Sequence, residues 1–156
     1  MKQGFFKRGS DIDNWRSDAP VGPWSNEPDW AVWEDPAGMT CAVQRNGVGA
    51  WCGYVWPNRA HPLLNGSLQR GNPVWLDCHG GVSWHGRMPI PEAGLDGVAV
   101  GFDCSHSSDH SPRDSHRAYG TYRDMKYVME QTRSLAEQIA AYAPLQQLLS
   151  GTEEAQ

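Results

Sequence analysis

The pattern of apolar and polar positions changes along the chain from a period of two to helical spacing. In "GVAVGFDC", residues 97–104, alternation places one set of side chains on a packed face: Val98, Val100, Phe102 and Cys104. The other face carries Ala99, Gly101 and Asp103. From Tyr122 to about Leu149, apolar residues recur at the spacing of one helix face, and Ser150-Gly151 marks the expected end. These patterns predict an α+β domain: an antiparallel or mixed sheet with one long C-terminal helix packed on a face.

A hairpin is predicted around Asn46-Gly47, which lies between two apolar runs. Both central positions of a tight two-residue turn need positive φ, and Asn and Gly tolerate it. In that register Cys41 lies opposite Cys52, in the wider, hydrogen-bonded kind of pair. Together with the reducing compartment expected below, this predicts two neighbouring free thiols rather than a disulfide.

The segment "VWLDCHGG", residues 74–81, is interpreted as a second strand that ends like "GFDC". Alternation places Leu76 and Cys78 on one face, with Asp77 and His79 on the other. If the two strands are neighbours, Asp77, His79 and Asp103 share an open face while the cysteines point into the core. The small side chains beside Asp103 then predict either a ligand groove or, because glycine in a strand also marks such places, a bulge or a close approach of the backbone.

The polar residues at these strand ends are candidates for catalysis. His79 or His106 is the candidate general base, oriented by Asp77 or Asp103, and the Gly80-Gly81 amides are available to an oxyanion. A divalent metal is a weaker alternative, because no His-Glu-x-x-His spacing supports it. Its mixed ligand set would be drawn from Asp103, His106, Asp109 and His110, completed by Asp77 or His79. A purely structural interpretation also stands, in which Asp103 caps loop amides and His79 donates to a carbonyl.

Composition narrows the class of partner. A net charge of −5 and a pI near 5.6, without any basic run, exclude duplex nucleic acid and a basic membrane-surface patch. No apolar stretch is long enough for a signal peptide or a membrane span, so we expect a cytoplasmic protein with its four cysteines reduced. Residues 1–27 are expected to form a flexible or irregular arm, 28–150 a single domain, and 151–156 a disordered acidic tail.

Four segments resemble a family of small proteins encoded by tailed bacteriophages and prophages. They are "WCGYVWPNRAHP" (51–62), "HGGVS" (79–83), "GFDCSH" (101–106) with Asp109, and "YRDMKYVMEQTRSLAEQI" (122–139). The match covers roughly residues 28 to 145, and its motifs mark the family without assigning a reaction. The resemblance implies a counter-defence role in the cytoplasm of a bacterial host.

Such a protein would bind a small phosphorylated ligand, such as a cyclic nucleotide immune signal, either to sequester it or to hydrolyse it by acid–base or metal-assisted chemistry. Trp51 and Trp84 would stack on its bases, and Arg87 and Arg113, with Arg59 and Arg117, would hold its phosphates. Asp77, Asp109, Gly80 and Gly81 complete the expected ligand-binding set. The alternative is a non-enzymatic inhibitor that binds a bacterial defence protein. A homo-oligomer is compatible with either function.

Overall fold

A computed structural model describes residues 4–6, 13–58, 61–64, 76–114 and 119–154. Within these ranges, only the backbone is described for residues 4–6, 13–14, 92 and 143–154. The predicted roles of Arg59 and Arg117, and the first two residues of the predicted strand at 74–79, lie outside the described residues.

The centre of the fold is a six-stranded antiparallel sheet. Its strands are β1 (Gly4–Phe6), β2 (Trp30–Glu34), β3 (Thr40–Arg45), β4 (Trp51–Trp56), β5 (Trp84–Arg87) and β6 (Val98–Asp103). Their order across the sheet is β1-β2-β3-β4-β6-β5. The strand around residues 98–103 is therefore confirmed, and it lies inside the sheet between β4 and β5.

Two α-helices accompany the sheet: α1 (Asp13–Asp18) and α2 (Met125–Glu154). Asp124 caps α2, because its Oδ1 accepts the Tyr127 N–H at 2.8 Å. Helix α2 packs on β3 and β4, which confirms the predicted α+β class. It continues past Gly151 to Glu154, so most of the predicted disordered tail is helical. A single glycine costs a helix only about 1 kcal/mol and does not by itself end it.

Hydrophobic side chains fill both faces of the sheet. The helix-side core unites β3, β4 and β6 with α2 through Val43, Val55, Val100, Phe102, Val128, Leu135 and Ile139. The opposite face carries a smaller cluster: Trp30, Val32, Ala42, Trp56, Ile90 and Ala99. Val98, predicted on the packed face, is exposed instead. It pairs with Arg87 on the edge strand β5, beyond the area that α2 covers.

The hairpin exists, but its predicted register is wrong. Arg45 pairs with Trp51 and Cys41 with Val55, whereas Cys52 pairs with Gln44. The loop is longer because Asn46 N–H donates to Ala50 O at 2.9 Å and Gly49 supplies the left-handed position, with φ of 80°. The odd shift places Cys41 and Cys52 on opposite faces of the sheet.

All four cysteines are free and buried. Burial raises the pKa of Cys41, Cys52 and Cys78 to about 12, and it also raises the pKa of Cys104. These thiols are therefore protonated and inert at neutral pH.

The segment predicted as an irregular arm is partly ordered by aromatic burial. It contains β1, α1 and a 3₁₀ turn at Pro23–Asn26, and the rings of Trp15 and Trp24 are buried. Residues 76–78, predicted as a strand, have no ladder partner among the described residues, although Leu76 and Cys78 are buried as alternation predicted. Within the described ranges, no helix has both the length and the apolarity needed to cross a membrane.

A buried guanidinium fastens this N-terminal segment to the sheet. Arg45 lies 4.5 Å from the ring centroid of Trp15 and 4.2 Å from that of Trp51. It donates to Gly49 O at 2.8 Å, to the Tyr122 hydroxyl at 3.0 Å and to Glu27 Oε1 at 3.3 Å. We call this set, Arg45 with Trp15, Trp51, Glu27 and Tyr122, the Arg45 cluster.

Glu27 extends the Arg45 cluster to the start of α2. Its Oε1 accepts the Tyr122 hydroxyl, and its Oε2 accepts the Met125 N–H at 2.6 Å. The first amides of a helix lack partners within the helix, so this carboxylate stabilises the N-terminus of α2.

Candidate functional site

A buried carboxylate, Asp109, is the centre of the candidate site. Its side chain is 0% exposed. His79 Nε2 lies 2.9 Å from both carboxylate oxygens, and His106 Nδ1 lies 2.8 Å from Oδ2. Arg123 Nε donates to Oδ1 at 3.1 Å, and the His106 backbone N–H donates to Oδ2 at 3.0 Å. We call Asp109 with His79, His106, Arg123 and Tyr127 the Asp109 cluster.

The negative charge of Asp109 determines which nitrogen of each neighbouring imidazole carries a proton. Burial raises the pKa of this carboxyl group, but hydrogen bonds from His79, His106 and Arg123 outweigh burial and lower it to about 2. An ionised carboxylate only accepts hydrogen bonds, so His79 Nε2 and His106 Nδ1 both carry protons that point at Asp109. The remaining nitrogen of each ring is the one available to other partners.

His79 is held on both sides. Its Nδ1 lies 2.8 Å from the Tyr127 hydroxyl, and the two rings meet edge to face. Since Nε2 already contacts Asp109, both nitrogens of this imidazole are engaged, and the side chain is only 11% exposed. His79 is therefore poorly placed to act alone as a general base.

His106 is the more accessible imidazole, with 37% of its side chain exposed. Its Nε2 lies 3.8 Å from Asp103 Oδ1. The ring also lies against Gly80, where φ is 72° and a Cβ atom would come within 2.4 Å of His106 Cε1. Gly80 is thus required at this position for both its backbone conformation and its missing side chain.

Loop backbone bonds hold Asp109 next to the start of α2. His110 N–H donates to Thr121 O at 2.9 Å, and Thr121 N–H donates to Ser108 O at 2.8 Å. These bonds place the loop beside Arg123 and Tyr127, whose side chains contact each other at 5.1 Å from the Arg123 guanidinium carbon to the Tyr127 ring centroid. The site therefore unites a loop after β6, the turn at Gly80 and the beginning of α2.

A cavity of about 650 Å³ opens beside the cluster. Hydroxyl, imidazole and carboxylate side chains dominate its lining, which consists of Ser105, His106, Ser107, Asp109, His110, Ser111, Asp114 and Tyr119. This volume is within the range of about 300 to 1,000 Å³ that is typical of small-molecule sites. A small polar ligand in the cavity would contact His106 directly.

The structure brings together several of the predicted site residues. His79, His106, Asp109 and Gly80 are mutually adjacent, and Asp103 lies at the margin. Asp103 has the loop-capping contacts of the structural interpretation, because its Oδ1 accepts the Ser105 N–H at 3.0 Å. Gly81 N–H donates to Cys78 O at 2.8 Å, so this amide is not available to an oxyanion as predicted.

The structure does not place the remaining predicted ligand residues in the cluster. Asp77 is exposed, and its backbone is bound on both sides by the Gln138 amide. Arg87 forms an exposed ion pair with Asp96 on the edge strand, with Nε 2.8 Å from Oδ1. Arg113 lies 3.6 Å from Asp18 at the surface.

The aromatic predictions also need correction. Trp51 is fully buried against Arg45, so its ring is not available to stack on a base. Trp84 is 40% exposed but packs edge to face on Tyr54. The Tyr54 ring also occupies the space beside Gly101, where a Cβ atom would come within 2.6 Å of it, and this fills the predicted groove.

Sequence reasoning missed Arg123 and Tyr127 as members of the site. Both lie in the segment "YRDMKYV", which the pattern identified only as the start of a helix. Their separation of four residues is the helical spacing that brings side chains to one face, and this was the available signal. The distance along the chain from His79 concealed the contact.

Comparisons of the chain with protein-family models, with curated proteins and with solved structures found no match.

Proposed function

We propose that this chain binds a small phosphorylated ligand in the cavity beside His106 and hydrolyses it at the Asp109 cluster. The phage resemblance suggests the ligand class, a cyclic nucleotide that serves as a bacterial immune signal. In this role the protein would act against host defence by removing that signal.

One observation carries the proposal: an ionised, fully buried carboxylate orients two imidazoles at the wall of a polar cavity. Burial of a carboxylate is costly unless it is paired, so such an arrangement needs several compensating donors. Orientation of imidazoles by a carboxylate is a recurring feature of hydrolytic sites. His106 is the imidazole that both contacts Asp109 and lines the cavity.

The cavity lining suits phosphate oxygens better than an apolar ligand. Ser105, Ser107 and Ser111 offer hydroxyl donors, and His110 offers an imidazole. Arg123 compensates the charge of Asp109 at 3.1 Å, so this carboxylate does not repel an anion as an unpaired one would. Binding would depend on these local contacts, because the net charge of −5 gives no long-range attraction.

The reaction adds one water molecule across a phosphodiester bond. A P–O bond forms to the water oxygen, the P–O bond to the leaving oxygen breaks, and that oxygen gains a proton. His106 Nε2, the nitrogen not directed at Asp109, takes the proton from the attacking water and returns it to the leaving oxygen.

The test is incubation of the purified protein with a panel of cyclic di- and trinucleotides, followed by chromatography of retained ligand and products. His106→Ala is compared with His85→Ala, because His85 is also exposed but lies on β5 outside the cavity lining. Products from the wild type and His85→Ala, but not from His106→Ala, are expected. Retention without products contradicts hydrolysis, and an absence of both contradicts the whole proposal and favours the protein-binding inhibitor.

A further inference from the structure

We infer that His79, His106 and Asp109 form a site for one divalent transition-metal ion of the zinc class. One potential ligand atom from each residue lies within 4.8 Å of the others. Two imidazole nitrogens and one carboxylate oxygen are a donor set that suits zinc and related ions and leaves coordination positions for water or substrate. Metal binding itself does not depend on the proposed hydrolysis.

Both oxygens of Asp109 lie 2.9 Å from His79 Nε2, but their other partners differ. Oδ1 also accepts a hydrogen bond from Arg123 Nε at 3.1 Å. Oδ2 lies 2.9 Å from His79 Nε2 and 2.8 Å from His106 Nδ1, so both rings converge on it. An ion bound to Oδ2 therefore leaves the contact between Asp109 and Arg123 intact.

When a metal binds one nitrogen of each imidazole, the proton on that nitrogen moves to the other nitrogen of the ring. Each ring has an oxygen facing that second nitrogen. A neutral histidine coordinates through one nitrogen and keeps its proton on the other, which is usually bound by an oxygen. His79 Nδ1 already lies 2.8 Å from the Tyr127 hydroxyl. His106 Nε2 faces Asp103 Oδ1 at 3.8 Å. A change of tautomer in each ring thus converts the hydrogen-bonded cluster into a metal site without a change in charge of either ring.

The required movement differs between the ligand pairs: the two imidazole nitrogens lie within 4.8 Å of each other and would have to approach to about 3.3 Å. Metal bonds of about 2.0 to 2.1 Å at tetrahedral angles separate neighbouring ligand atoms by about 3.3 Å. The nitrogen-to-oxygen separations of 2.8 and 2.9 Å would therefore widen by about 0.5 Å. His106 is half-exposed at the cavity and free to make this adjustment, whereas His79 and Asp109 are held by Tyr127 and Arg123.

A bound metal ion would activate a water molecule in the cavity. A zinc-class ion lowers the pKa of its bound water to about 7, which supplies hydroxide at neutral pH. This consequence rests on the proposed function, because it needs a substrate in the cavity. Ser105, Ser107 and His110 would then hold the phosphate oxygens beside the ion.

Metal binding is tested with Zn²⁺ alone by calorimetry on chelator-treated protein, and with Co²⁺ as a spectroscopic probe. The expected result is one ion per chain and a visible absorption typical of imidazole-bound Co²⁺ in a site of low coordination number. His106→Ala should abolish both signals, whereas His110→Ala should keep them, because the His110 ring lines the same cavity but its Nδ1 lies against Tyr119 O. Tyr127→Phe should weaken affinity by about 10 to 100-fold.

Circular dichroism of each variant checks that it is folded. A folded wild type that binds neither ion at micromolar concentration overturns the inference, and so does full retention of binding by a folded double variant, His79→Ala with His106→Ala. The outcomes separate this inference from the proposed function. Hydrolysis unaffected by exhaustive chelation contradicts activation of water by the metal but neither Zn²⁺ binding nor the activity, whereas metal binding without hydrolysis supports the site and contradicts the activity.

Discussion

Arg45 and Asp109 are two of the buried charged side chains in the described ranges, and their surroundings differ in one respect. The guanidinium of Arg45 is enclosed by the rings of Trp15 and Trp51, and its partners are main-chain carbonyls, a phenol and the carboxylates of Glu27 and Asp29. The carboxylate of Asp109 is held by a guanidinium and by the imidazoles of His79 and His106. Of these groups, His106 lines a cavity.

This difference distinguishes Arg45, whose charge stabilises the fold, from Asp109, whose charge is placed to take part in chemistry. Arg45 is permanently charged and contacts no exposed group that could exchange a proton or bind a ligand. Asp109 contacts two imidazoles, a side-chain type that transfers protons and coordinates metals. Burial of charge alone therefore does not indicate function, whereas burial next to titratable groups at a cavity does.

Replacement of Arg45 should have the largest effect on stability. Arg45→Met leaves the Glu27 carboxylate without its cation and leaves Arg16 as the cation beside the buried Asp29, and this should cost about 3 to 5 kcal/mol in the free energy of unfolding. Chemical denaturation measures the cost. Arg87→Met is the matched control, because its ion pair with Asp96 is exposed and should contribute little to stability. Equal costs for the two variants would contradict a structural role for the Arg45 cluster.

Asp109→Asn should destabilise the fold less than Arg45→Met does, but it should reduce activity and metal binding more. Loss of hydrogen bonds to a charged acceptor should destabilise the fold by about 1.5 to 3 kcal/mol, while Zn²⁺ binding and hydrolysis should both be lost. Denaturation and calorimetry on the same preparation measure the two effects. A cost equal to that of Arg45→Met, with affinity for Zn²⁺ unchanged, would make the two clusters equivalent and remove the distinction.

Replacement of Gly80 tests whether the position of the His106 ring affects metal binding. Gly80→Ala places a methyl group against the His106 ring at a φ of 72°, whereas Gly94→Ala meets nothing within 4 Å at a φ of 67°. Both should lose about 1 to 2 kcal/mol to backbone strain. Gly80→Ala should lose more than Gly94→Ala in a denaturation series, and only Gly80→Ala should lose Zn²⁺ affinity. Similar behaviour of both variants would show that the His106 position does not matter.

Alkaline titration compares one tyrosine from each cluster. Burial raises the pKa of both phenols, and for Tyr122 the Arg45 charge opposes this rise while the Glu27 hydrogen bond adds to it. Because unfolded phenols ionise near pH 10, the stability contributed by a neutral buried phenol is complete below that pH and falls as pH rises above it.

The decline in stability with rising pH should be shallower in Tyr122→Phe and nearly unchanged in Tyr127→Phe, because burial raises the pKa of Tyr122 more than that of Tyr127. Denaturation at a series of pH values between about 9 and 12 measures the slopes. A larger change in Tyr127→Phe would reverse the expected order of the two clusters.

Local patterns were sufficient for most of the fold. The spacing of Val128, Leu135 and Ile139 predicts α2, and the alternation in β6 predicts which side chains meet it. The hairpin was found, but not its register, because Gly47 and Gly49 both offer a left-handed position and only the hydrogen bonds of Asn46 select Gly49. Leu76 and Cys78 alternate as a strand would, yet strand formation needs a ladder partner that periodicity does not reveal.

The candidate site was only partly predictable, for a different reason. His79, His106 and Asp109 were identified by residue type, but their mutual contacts depend on loop conformation rather than on strand alternation. The prediction relied on Asp77 and Asp103 because both belong to alternating segments. Asp109 became the central carboxylate because the loop after β6 turns back toward α2, and no short-range pattern specifies that turn.

The link from Glu27 to the Met125 amide also bears on how the protein is made. The two residues are 98 positions apart, so at typical synthesis rates Met125 follows Glu27 out of the ribosome by about 5 to 20 seconds. During that interval the Glu27 carboxylate, which stabilises the N-terminus of α2, cannot bind the Met125 amide because Met125 has not yet been translated. Arg123 and Tyr127 emerge with Met125, so His79 and Asp109 are translated before the side chains that hold them in place.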